Sequence, residues 1–131
     1  MDTNGTFTTI LDSISLPDCD VDYPDGNTNF ALPALRGLAV DEHGNVFAAG
    51  TGCHRVVKIT PTGKIQTVLI SERPWSPTGV ALHEGNLYVL EYANATKGRD
   101  SGWLPRVREL GPDGTVTSLV TITEANVPAT K

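Results

Sequence analysis

The sequence predicts an all-β fold: two four-stranded antiparallel sheets, with one extra strand ahead of them. Three observations carry this. The stretch RGLAVDEHGNVFAAGTGCHRVVKITPTGKIQTVL at 36–69 returns at 78–120 as TGVALHEGNLYVLEYANATKGRDSGWLPRVRELGPDGTVTSLV. Each copy divides into four short apolar or alternating runs separated by turn residues, the pattern of strands joined by hairpins. No segment keeps a helical period.

Taken in order, residues 5–11, GTFTTIL, read as a strand preceded by an Asn-Gly turn signal. Residues 12–35 are rich in Asp, Pro and Asn, keep no period and read as a loop. The first unit, 36–70, has strands at 37–40, 46–49, 55–59 and 65–69, with turns at 41–44 and 61–63. The second unit, 78–121, has strands at 79–82, 87–90, 106–110 and 116–120, with turns at 83–85 and 112–114 and an insertion before its third strand. Residues 122–131 read as a frayed tail of the same single domain, 1–131.

The first two strands of each unit are apolar on both faces, as strands covered on both sides are. The third strands carry Arg55 and Lys58, then Arg106, Arg108 and Glu109, and the fourth alternate with polar residues. Dry inner strands and wet outer ones predict sheets stacked around an axis, a partial β-propeller of two complete blades plus one outer strand of a preceding blade. Two blades cannot close a ring. The chain therefore reads as a piece of a longer propeller, or as one protomer of a homo-oligomer that completes the ring.

Composition narrows the function. A formal charge of −5 argues against nucleic-acid binding, and no apolar run approaches a membrane span. The start MDTNGTFTTI has no signal-peptide pattern, and the compartment stays open. There is no Gly-x-Ser-x-Gly, His-Glu-x-x-His, phosphate-binding glycine loop or Cys-x-x-Cys. The expected partner is a protein or a small-molecule ligand.

The paired segments GLAVDEHGNVFAAG…RVVKITPTGKIQTVL and PTGVALHEGNLYVLEY…RVRELGPDGTVTSLV resemble NHL-type repeats. They are also similar to blades of the gluconolactonase and senescence-marker superfamily and of streptogramin-lyase propellers. The resemblance implies the propeller fold. The gluconolactonase relatives further imply a divalent metal, Ca or Mg, held by Glu, Asn and Asp from separate blades. In the lyase propellers a Thr-Glu follows an aromatic-rich strand. Glu91 stands at a similar place, with Leu90 where the Thr would be.

Alternation of connections puts the long loops, 12–35, 71–77 and 93–105, at one end, where binding groups concentrate. Glu91, an ionisable group after four apolar residues, is the leading catalytic candidate, with His54 a general base or ligand. The bland alternatives are a water-facing carboxylate and a solvated histidine. Arg73, Trp75, Tyr92, Asn94, Arg99, Asp100 and Trp103 form a candidate binding surface, or the two Trp pack the loops down. Asp18, Asp20 and Asp22 alternate as in a calcium loop, but Tyr23 and Asn29 stand where that loop needs Gly and Glu. Cys19 and Cys53 form one disulfide or remain two thiols. The expected activity is a non-catalytic binding or interaction scaffold without a cofactor. The alternative is a protomer or fragment of a metal-dependent lactonase- or lyase-type enzyme, with Glu91 plus Asn94 or His54 as part of its ligand set.

Overall fold

The computed structural model describes residues 3–11, 34–94 and 103–121. Its strands are β1 (Leu35–Val40), β2 (Val46–Gly50), β3 (Arg55–Ile59), β4 (Ile65–Ile70), β5 (Trp75–His83), β6 (Asn86–Asn94), β7 (Trp103–Leu110) and β8 (Val116–Thr121). They form two antiparallel sheets in sequence order, β1-β2-β3-β4 and β5-β6-β7-β8. No α-helix occurs among the described residues. The tail at 122–131 lies outside them.

The internal repeat extends to the irregularities of the ladders. The first strand of each sheet carries one extra residue, between Leu35 and Leu38 and between Pro77 and Gly79. The fourth strand does the same: Val56–Val57 faces Leu69 and Thr67, and Val107–Arg108 faces Val120 and Ser118. Turn chemistry repeats as well. Asp41 accepts the N–H groups of His43 and Asn45, each at 2.9 Å, and Asp113 accepts that of Thr115 at 3.0 Å. Gly63 and Gly114 end equivalent turns at φ 89° and 87°, a region other residues reach only with strain.

Two apolar clusters make the core. One lies between the sheets: Val56 and Leu69 of the first meet Leu87 and Val89 of the second, with Phe47, Val80, Leu82 and Leu110 packed around them. The other lies on the far face of the first sheet, where Ala48, Cys53, Val57 and Ile59 gather with Leu11, Leu35, Val46 and Ile65. The inner strands touch directly. A Cβ on Gly37 would stand 2.7 Å from the Cα of Gly79 and 2.8 Å from the Thr78 carbonyl oxygen, so no larger residue fits there.

Two expectations are corrected. The order of dryness is not first strand to fourth. Leu38 and Val40 of β1 are 64% and 57% exposed, while Val56 and Val57 of β3 are fully buried. The reason is that β3 has apolar cover on both faces, whereas among the described residues no sheet lies over Leu38 and Val40. Residues 5–11, expected as the outer strand of a preceding blade, belong to neither sheet and form no ladder among the described residues. Leu11 packs into the first sheet's outer cluster, while Phe7 and Ile10 are 81% and 58% exposed. Finally, Glu91 does not end its strand, because β6 runs on to Asn94.

Candidate functional site

Glu91 lies opposite Arg106 in the β6–β7 ladder, and Arg108 follows two residues on, on the same face. That face meets the first sheet. The Glu91 side chain is fully buried, and those of Arg106 and Arg108 are 14% and 12% exposed. Arg108 grips the carboxylate with Nε on Oε2 and Nη2 on Oε1, both at 2.7 Å. Arg106 donates from Nε to Oε2 at 2.8 Å. The Ser71 hydroxyl donates to Oε1, and Arg108 Nη2 also reaches the Ile70 carbonyl at 3.1 Å. The cluster thus joins the end of β4 to the middle of β6 and β7. It overturns the view of β7 as a wet strand: Arg106 and Arg108 point inward because Glu91 is there to pair them.

Burial alone would push the Glu91 carboxyl up. The hydrogen bonds from Arg108, Arg106 and Ser71, with the charge of Arg108, outweigh it and hold the group below its ordinary value. Glu91 is therefore an anion near neutral pH. It is not the water-facing carboxylate that stood as the bland alternative.

The remaining residues divide. Trp75 lies under Arg106, whose guanidinium carbon is 4.2 Å from the ring centre; Arg106 Nη2 is buried without a hydrogen-bond partner. His54 takes a left-handed backbone, φ 54° and ψ 38°, between a single 3-10 turn (Thr51–Cys53) and β3. Its Nδ1 lies 2.7 Å from the Trp75 carbonyl oxygen and 3.3 Å from Ser76 Oγ. A carbonyl can only accept, so Nδ1 carries the proton. His54 also accepts the Ser71 N–H on its own carbonyl at 2.8 Å. It fastens β5 to the first sheet, and its Nδ1 is not a general base. Asn94 and Trp103 pair across the β6–β7 ladder. Arg73 is exposed, beside the Trp75 strand start. Cys53 is disulfide-bonded, and the sequence holds one other cysteine, Cys19. Cys19, Asp18, Asp20, Asp22, Arg99 and Asp100 lie outside the described residues.

Tyr92 belongs to a different group. With Arg36, Thr51, Ser76 and Thr78 it lines a cleft of about 480 Å³ at the ends of the inner strands. Arg36 and Thr78 are the residues displaced by the two matched bulges of β1 and β5, and bulges re-aim side chains in this way. The cleft is shaped by fixed hydrogen bonds: Thr51 Oγ1 donates to the Pro77 carbonyl at 2.7 Å, and Thr78 Oγ1 to that of Leu90 at 3.3 Å. A larger hollow of about 710 Å³ lies at the opposite end, between the equivalent turns Asp41–His43 and His83–Gly85. Its rim is exposed side chains, including His43 beside Glu42 and His83 beside Glu84.

Sequence reasoning missed Arg36, Thr51, Ser76 and Thr78, and gave Arg106, Arg108 and Ser71 no part in the site. A signal existed for two of them. Arginines two apart on one strand share a face, and the hairpin register sets that face against Glu91. No protein-family model matches the chain, and no match was found among curated proteins.

Proposed function

We propose that the chain is an NHL-like β-propeller module, non-catalytic, acting as a binding or interaction scaffold and forming part of a larger ring. The observation that carries the non-catalytic reading is the saturation of Glu91. Its two oxygens already accept from two guanidinium groups and a hydroxyl. A carboxylate so engaged is a poor nucleophile, a poor base and, with two cations on it, a poor ligand for a divalent metal.

The ring is supported by unequal burial at equivalent positions. Val80 and Leu82 pack between the sheets, while their counterparts Leu38 and Val40 stand bare. Val68 and Leu69 pack there too, while their counterparts Leu119 and Val120 are 47% and 53% exposed. Leu11 sits on the first sheet as its counterpart Leu69 sits on the second, which suits residues 5–11 as the outer strand of a neighbouring blade. Further blades, from a longer polypeptide or from other copies, would cover both faces. Light scattering on the purified chain separates these: a monodisperse trimer favours shared copies, and an unstable monomer favours a longer polypeptide.

The alternative, a metal-dependent lactonase- or lyase-type fragment, would need Glu91 released from both arginines. Calorimetry with Ca²⁺ and Mg²⁺ decides between the two. Absence of heat from both the parent chain and Glu91→Gln is expected. Stoichiometric binding by the parent that Glu91→Gln abolishes would replace the scaffold reading with the enzymatic one.

A further inference from the structure

We infer, on the premise that the chain is a binding scaffold, that the cleft above Gly37 and Gly79 takes a small organic carboxylate, with Arg36 as its anchor. The cleft is built rather than incidental. The same one-residue bulge occurs in both inner strands and turns Arg36 and Thr78 into one space. Next to Arg36 and Thr78 in sequence, the backbones of β1 and β5 approach so closely at Gly37 and Gly79 that a Cβ on Gly37 would stand 2.7 Å from the Gly79 Cα, which fixes the two strands against each other.

The lining fixes the class of ligand. The side chains of Arg55, Arg106 and Arg108 are engaged with the protein. Arg36 is exposed and has no hydrogen-bond or ion-pair partner among the described residues. A guanidinium offers a planar fork of donors that a carboxylate matches with two parallel bonds. No carboxylate competes from the described lining, since Glu91 points to the opposite face of β6 from Tyr92 and is sealed between the sheets. Ser76 and Thr78 add hydroxyls, and the half-buried Tyr92 ring adds an apolar wall. A volume of about 480 Å³ suits a small molecule rather than a peptide segment. The ligand is therefore an acid with a compact, flat, unsaturated body.

The test uses benzoate and its neutral isostere benzamide, titrated into the ¹⁵N-labelled chain at neutral pH. Benzoate should shift the amides of Arg36, Gly37, Thr51, Ser76, Thr78 and Tyr92, and benzamide should not. Arg36→Gln should weaken benzoate by roughly tenfold or more, the scale of a lost charge-assisted bond, with Arg36→Lys intermediate. Arg36 is exposed, so both variants should keep the parent spectrum elsewhere. Equal shifts from benzamide would leave the cleft a binding site but end the carboxylate assignment. Unchanged benzoate affinity in Arg36→Gln, shifts confined to other surfaces, or no shifts from either probe would end it too. None of these bears on the scaffold reading, which calorimetry tests separately.

Discussion

The two sheets share a strand order, two bulges and a set of turns, yet they are held differently. The second sheet meets its neighbour through an ionic cluster, with Glu91 and Arg108 where the first sheet has Gly50 and Val57. The first sheet meets no comparable ionic cluster on its outer face among the described residues, where Leu11 packs and Cys53 is disulfide-bonded. The comparison separates two kinds of information. The repeated residues set strand layout and bulge position. The unrepeated ones set which face is joined to what, and how.

The largest expected difference follows from breaking the ionic join. Glu91→Ala leaves two buried guanidinium groups facing each other, and should cost about 3–5 kcal/mol in urea unfolding. Replacing Glu91, Arg106 and Arg108 together by Leu, Leu and Val should recover most of that loss, because an apolar cluster does not suffer the desolvation that the ions do. The same join makes stability depend on acid. The folded carboxyl lies below its ordinary value, so its contribution is complete above the ordinary carboxylate range and falls away as pH drops through the folded value. Glu91→Gln should flatten that limb of the profile, and a variant with an unchanged acid limb would contradict the assignment.

Next in size is the covalent fastening of the first sheet. Reduction should destabilise the chain by about 2–4 kcal/mol. Hydrogen exchange should show the loss first at β2 and β3, which flank Cys53, with β6 and β7 little changed at low denaturant. Uniform loss across both sheets would mean that they unfold as one unit.

Most of the fold was legible because strands and turns are local. The runs at 46–49, 55–59, 87–90 and 116–120 fall inside observed strands, and the turn glycines stand where their φ values require them. The site was less so. Glu91 was visible as a charge among apolar residues, but its partners come from β7 and from Ser71 just past β4, and only the packing of two sheets brings Ser71 to it. Arg106 and Arg108 read as solvent-facing because a charge on a strand normally is, and the rule gives way only where an opposite charge is buried beside it. Arg36 was invisible for another reason. A bulge breaks the alternation from which facing is inferred, so residue 36 appears on a side it does not occupy.

The smallest expected effect is also the most direct test of what the repeat does not specify. Leu82 and Leu38 lie on the same face of equivalent strands, one packed between the sheets and one bare. Leu82→Ala should cost about 1–2 kcal/mol, less than a fully buried leucine because Leu82 is only half-buried. Leu38→Ala should change the stability of the isolated chain by less than about 0.5 kcal/mol. If a further blade or a second copy covers Leu38 in the assembled state, the two costs should converge there, since Leu38 would then be packed between sheets as its counterpart Val80 and the neighbouring Leu82 already are. Equal costs in the isolated monomer would mean that Leu38 is covered within the chain itself, and the unequal faces on which the larger ring depends would no longer exist.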